Sequence, residues 1–162
     1  MQNIIDQLTG HPFFQSLPHD LYEALAPCAS IMRYETDQVI YQEGDEADTF
    51  FLIRSGKVAL ELIAGQHGAL VIQTIGAGYV LGWSWLFPPY RRRFDARAIQ
   101  PTEAIVMEAI CLRRKAEQDH RLGYELYKRF SKVVVTCLQA TQLQLLDVYG
   151  RSAARHLVQS IC

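Results

Sequence analysis

Cysteine is scarce and scattered in this chain. Only four stand in the 162 residues, Cys28, Cys111, Cys137 and Cys162, and none sits at the CxxC or Cys/His spacing that closes around zinc or an iron–sulfur cluster. Free thiols in a reducing compartment are the expectation. The histidines at 11, 19, 67, 120 and 156 form no HExxH pair, so no metal site is expected, and no Gly-x-Ser-x-Gly elbow frames a nucleophile. With no catalytic constellation, the sequence reads as a non-enzyme. Charge is nearly balanced at −1, which excludes the broad basic field behind non-specific nucleic-acid binding and confines any anion site to a local cluster. The N-terminus lacks a basic segment followed by an apolar run, so no secretory leader is expected and a cytoplasmic location is. The stretch from Ala69 to Tyr90 has no charged residue and is long enough to span a bilayer. Gly76, Gly78, Gly82, Pro88 and Pro89 interrupt it, however, which suits buried strands and turns and argues against a membrane helix. The glycines at 76, 78 and 82 are spaced one residue too long for a dinucleotide fingerprint and have no βαβ unit around them.

What is present is apolar material, 49% of residues, sufficient for one well-buried core. Residues 2 to about 30 read as short amphipathic helices, with Ile4, Ile5 and Leu8, then Leu21, Leu25 and Ala29, at helical spacing. From about 31 to 112 the pattern changes to short strands. Gln38-Val-Ile-Tyr41, Phe50-Phe-Leu-Ile53, Val58 with Leu60 and Leu62, Leu70-Val-Ile72 and Ala104 to Ile110 are separated by turn formers such as Glu43-Gly44-Asp45 and Arg54-Ser-Gly56. Such spacing argues for a β-sandwich or jelly-roll barrel. From Ala116 onward the period is helical again, and neither proline nor glycine interrupts Tyr124 to Tyr149. Those 26 residues make a helix of about 39 Å at roughly 1.5 Å per residue. Its stripe of Leu126, Phe130, Val133, Cys137, Leu138, Thr141, Leu145 and Val148 approximates a coiled-coil seam, which predicts a homodimer through 124–149.

The run Pro12-Phe-Phe-Gln-Ser-Leu17, followed by Ile40-Tyr-Gln-Glu-Gly-Asp-Glu-Ala-Asp48, Phe51-Leu-Ile53 and Ser55-Gly-Lys-Val58, resembles the cyclic-nucleotide-binding domain of the catabolite activator protein superfamily. The resemblance covers about residues 10 to 150 and implies a mainly β fold: a double-stranded β-helix (jelly-roll) barrel with short N-terminal helices and a long C-terminal dimerisation helix. The expected divisions are 1–118 for the barrel with its leading helices, 119–149 for the long helix, and 150–162 for the start of a helix-turn-helix domain. That last segment ends before a recognition helix, so the chain as given is not expected to read DNA.

In the family a phosphate-binding cassette, Gly-Glu-x-(Gly/Ala)-Leu, a spacer, then Arg-(Ser/Thr)-Ala, offers backbone N–H groups and a guanidinium to a cyclic phosphate. Its glutamate holds the ribose. The stretch beginning at Gly82 falls at that place. Gly82 and Leu86 match, and Arg93, eleven positions on, takes the arginine's place. Trp83 replaces the glutamate, Trp85 the small residue, and Phe94-Asp95 the Ser/Thr-Ala pair. The candidate ligand site is therefore Gly82, Trp83, Ser84, Trp85, Leu86, Arg93, Phe94 and Asp95, for cAMP, cGMP or another anionic small molecule. Loss of the carboxylate weakens the usual ribose contact. The tryptophans serve equally as pocket wall or core filler, and Asp95 is placed to neutralise Arg93. On the long helix Thr136, Gln139, Thr141 and Gln142 are the polar candidates to meet a ligand ring. The expected role is a ligand-sensing regulatory module. Its rivals are a transcription regulator lacking its DNA-binding part, and a ligand-free dimeric scaffold.

Overall fold

Helix α1 (Gln2–Gly10) buries Leu8 and half-buries Ile4 and Ile5, the apolar positions the period marked. The computed structural model describes residues 2–149, with side chains from 3 to 147. His11 then turns the chain into a short 3-10 segment, Pro12–Phe14: its Nδ1 accepts from the Phe13 N–H at 3.2 Å and its Nε2 donates to the Ile53 carbonyl at 3.0 Å. Both ring nitrogens are thus used in the neutral state, and burial holds the His11 pKa below its ordinary 6.5, the Ile53 bond opposing and nearby Arg54 assisting. A pKa depressed by folding gives stability that is present above pH 6.5 and lost as pH falls through the lowered folded value. Tm is therefore expected to drop as pH falls below 6.5, and His11→Asn to flatten that drop; equal slopes in thermal melts would contradict it.

Helix α2 (His19–Leu25) and a 3-10 turn, Ala26–Cys28, lead into eight strands: β1 (Ala29–Tyr34), β2 (Val39–Tyr41), β3 (Thr49–Ser55), β4 (Lys57–Ile63), β5 (Ala69–Gly76), β6 (Val80–Leu81), β7 (Asp95–Ala98) and β8 (Thr102–Glu108). They form two antiparallel four-stranded sheets, β1-β8-β3-β6 and β2-β7-β4-β5, in a jelly-roll arrangement whose sheets stay unclosed. Strand β3 is a continuous buried run because it is covered on both faces. Phe50 and Leu52 join the cluster under the helices, whereas Phe51 and Ile53 join Val58, Leu60, Ala96 and Ala98 between the sheets. Gly56, at φ +91°, makes the β3–β4 turn, where a Cβ would collide with Pro101 O and Thr102. The uncharged stretch 69–90 is β5, β6 and a loop, and among the described residues no helix is long and apolar enough to cross a membrane.

Helix α3 (Ala109–Gln118) ends at Asp119, whose carboxylate accepts the Arg121 N–H at 3.0 Å and starts α4 (His120–Tyr149). The first half of α4 is anchored: Leu122, Leu126 and Phe130 are buried. Farther along, Val135, Leu138 and Leu143 are exposed. The thiol expectation needs one correction. Cys28 and Cys111, 83 residues apart, are joined in a disulfide because the turn after α2 packs against the start of α3; Cys137 is free and buried. Linear spacing carries no trace of that approach. Residues 150–162, expected to open a further domain, lie outside the described residues.

Candidate functional site

The loop from Gly82 to Phe94 joins β6 to β7, and backbone pairing fixes its course. Gly82 has φ +91°, Ser84–Leu86 is a 3-10 turn, Pro88-Pro89 is cis, and Tyr90 has φ 56°. Beyond that, the loop runs against the β2–β3 connection. The Ala47 N–H donates to Tyr90 O at 2.8 Å, the Arg92 N–H to Asp45 O at 2.8 Å, and the Gly44 N–H to Arg92 O at 2.9 Å, with a bridge between Glu46 and Arg91. Successive side chains of extended chain alternate, so Arg91 and Arg93 point to solvent and Arg92 points inward. The arginine expected inside was Arg93. The ladder phase sets it outside and puts Arg92 in its stead.

Arg92 is only 3% exposed. Its guanidinium lies 4.1 Å from the centre of the Tyr41 ring and 5.8 Å from that of Phe51. Nη2 donates to Thr49 Oγ1 at 3.0 Å and stands 4.0 Å from Asp48 Oδ1, but among the described residues Nε and Nη1 are buried without a hydrogen-bond partner. Burial pulls the Arg92 pKa below its ordinary value, with Tyr41, Asp48 and Asp45 opposing, and pushes the Tyr41 phenol well up. A Cβ at Gly82 would come within 2.9 Å of Arg92 Nη1, so glycine there serves both the turn and the guanidinium's seat. A buried cation with two unanswered donors is costly unless an acceptor joins it.

Beside Gly82 lies a cavity of about 430 Å³, bounded by Trp83 of the loop, Gln73 and Ile75 of β5, and Lys132 and Thr136 of α4. That volume falls in the range of small-molecule sites. The two tryptophans divide. Trp83, half-buried, walls the cavity together with Cys137 of α4; burial raises the Cys137 thiol pKa and the neighbouring Trp83 side chain offsets part of the rise. Trp85 is fully buried core, stacked on Phe50 at 5.0 Å and edge-on to Phe130 at 5.2 Å. Ser84 and Leu86 are buried as well. Phe94 packs on the inter-sheet cluster, and Asp95 accepts the Glu43 N–H at 2.7 Å, which puts its carboxylate to work on the β2–β3 connection. Of the four polar helix candidates only Thr136 is among the cavity's walls. The loop contributes Gly82 and Trp83 to the cavity, and none of the other loop positions expected there lines it.

Two features of the site escaped sequence reasoning. One is Arg92, whose signal is the phase of a strand pairing that only the fold reveals. The other is the set Lys128, Arg129 and Lys132, which faces the cavity from α4 with no carboxylate among the lining residues. The i, i+4 spacing of 128, 132 and 136 could have flagged one face. Among the described residues, no group of three or more His, Cys, Asp or Glu is arranged to hold a metal ion.

Solved structures with this architecture include three close matches. One, described as a cyclic nucleotide-binding protein from Geobacter metallireducens GS-15, is 26% identical with a TM-score of 0.73 over 82% of this chain and 96% of that one. A cyclic nucleotide-binding domain from Methylobacillus flagellatus KT is 19% identical, with a TM-score of 0.73 over 90% of this chain and 82% of that one. The c-di-GMP responsive global regulator CLP of Xanthomonas campestris is 16% identical, with a TM-score of 0.70 over 89% of this chain and 70% of that one. The family model described as the cyclic nucleotide-binding domain matches residues 31–119, more than half of the chain and the whole of both sheets but for the first two residues of β1. This chain belongs to the cyclic nucleotide-binding domain family.

Proposed function

We propose that the chain is a small-molecule-sensing regulatory domain that works by binding and not by catalysis. The observation that carries this is the shared cavity: one wall is the Gly82–Trp83 loop and another is α4, so a single occupant touches both the recognition loop and the output helix. An anionic ligand is favoured because Arg92 keeps two buried donors unanswered beside Gly82. Trp83 stands where a ribose-binding carboxylate is expected, so recognition of a cyclic nucleotide here rests on charge and ring contacts more than on sugar hydroxyls. Occupancy shifts the balance between two settings of α4 against the sheet.

The output unit is a homodimer. The seam expected from the sequence does not serve as such, since Leu126, Phe130 and Cys137 are buried within the chain itself; the apolar face that α4 leaves open is Tyr124, Tyr127, Val135 and Leu138, 64%, 50%, 51% and 47% exposed, and a second copy covers it. On this reading 1–118 is the sensing unit and 119–149 the transmitting helix. Calorimetric titration with cAMP, cGMP and c-di-GMP, paired with light scattering for mass, tests it. Heat with at least one of them at one site per chain, on a particle of twice the chain mass, is the expected result. No heat with any of the three favours the ligand-free scaffold.

A further inference from the structure

The walls of the cavity differ in chemistry. On the sheet side stand Ile75 and Val80 with the amide of Gln73, the loop presents the Trp83 indole, and every titratable lysine or arginine on the wall comes from α4. Arg129 is already committed, since its Nε donates to Phe13 O and its Nη2 to Gln15 O, each at 2.8 Å, and its Nη1 pairs with Glu125. Lys128 shares that same carboxylate, at 3.3 Å, so one acid serves two bases, and Lys132 makes no ion pair among the described residues. Lys128 and Lys132 stand four residues apart on one helical face, an arrangement that repels until an anion joins it.

Arg92 stands apart from these lysines. Gly82 lines the cavity at the loop, and Arg92 Nη1, without a hydrogen-bond partner among the described residues, lies directly behind it, 2.9 Å from where a Cβ on Gly82 would stand. Lys128 and Lys132 line the cavity from α4. The cavity thus has lysines on its helix wall, a guanidinium behind its loop wall and the Trp83 indole on the loop, with no acid among its lining residues.

We infer that the cavity takes a planar ligand bearing two negatively charged groups, one beside Arg92 and one between Lys128 and Lys132, with its ring against Trp83. The inference rests on the ligand-binding reading above and adds a second anionic group, which a cyclic mononucleotide lacks. Because the lysines belong to α4, the second group is also what ties the ligand to the output helix. A ligand without it fills the loop end of the cavity and leaves the helix less constrained.

The test uses the full chain and three probes with the same ring: naphthalene-2,6-dicarboxylate, 2-naphthoate and 2-naphthamide, titrated by calorimetry at low and high salt alongside cAMP. In the wild type the dicarboxylate is expected to bind roughly tenfold tighter than the monocarboxylate, a ratio that shrinks with salt, and the neutral amide weakest. The double variant Lys128→Ala, Lys132→Ala is expected to lose the dicarboxylate's advantage and to keep the monocarboxylate's affinity. Lys128 is 46% exposed at its side chain and Lys132 is exposed, so both changes leave the core untouched, which a thermal melt verifies. Equal binding of the two acids, or an advantage that survives in the double variant, overturns the inference. So does cAMP binding with no dicarboxylate binding, which leaves the sensing role intact. Absence of heat with every probe, cAMP included, overturns the sensing role itself.

Discussion

Phe130→Ala is expected to lower the free energy of unfolding by about 3–5 kcal/mol, the range for a large buried aromatic truncated in a close-packed core. Phe130 is fully buried on α4 and meets three rings edge-on: Phe13 at 5.0 Å, Phe50 at 4.9 Å and Trp85 at 5.2 Å. Those partners come from the first 3-10 segment, from β3 and from the cassette loop, so the cavity left by the missing ring cannot close by one local adjustment. Each aromatic pair adds about 0.5–1.5 kcal/mol beyond area burial, which places the loss toward the upper part of the range. Denaturant unfolding measures it, with Val135→Ala, on the exposed side of the same helix, as a control expected to change the monomer by no more than about 0.5 kcal/mol. A small loss at Phe130 would mean that α4 is not fastened to the sheet where the structure fastens it. The cavity between them would then not be a defined site.

Arg92→Met is expected to move stability and binding in opposite directions. Arg92 is buried with Nε and Nη1 unpartnered, while its backbone N–H and carbonyl are both held by the β2–β3 connection, so the loop keeps its course when the side chain changes. An apolar side chain of similar length over Tyr41 removes the cost of a desolvated cation. Replacements of that kind are neutral or stabilising by about 1–4 kcal/mol. The same change removes the donors an anion would use. Two hydrogen bonds to a charged group at about 1.5 kcal/mol or more each amount to a loss of roughly 100-fold or greater in affinity. Arg93→Ala, at an exposed position, is expected to leave both quantities nearly unchanged. Melts of the unliganded proteins and titrations of a ligand the wild type binds check the two halves separately. A destabilised Arg92→Met that binds as before would show that the guanidinium is a structural strut.

The fold was legible because the chain's periods change where its architecture changes. Turn formers at Gly44 and Gly56 bound a buried apolar strand, and 26 residues without a helix breaker make most of α4. The site was legible only to the level of a loop. Counting eleven positions from Gly82 selects Arg93, but which arginine turns inward is decided by pairing with residues 44–47, and that pairing sets the phase of the strand from a distant part of the chain. The two tryptophans look alike in sequence, yet Trp85 stacks on Phe50 in the core and Trp83 walls the cavity, a difference of two residues around a 3-10 turn. The Cys28–Cys111 disulfide was invisible for a related reason, since it joins segments brought together only after the helices dock. Loop path, strand phase and helix docking are tertiary outcomes, and local pattern does not encode them one residue at a time.

The most direct trial of the account is a crystal structure of the chain with a bound anionic ring compound, a cyclic nucleotide or naphthalene-2,6-dicarboxylate. The account predicts density in the 430 Å³ cavity between Trp83 and α4, with the negative group accepting from Arg92 Nε or Nη1. A ligand lodged elsewhere, or a cavity that stays vacant while other protein groups meet the Arg92 donors, would contradict it.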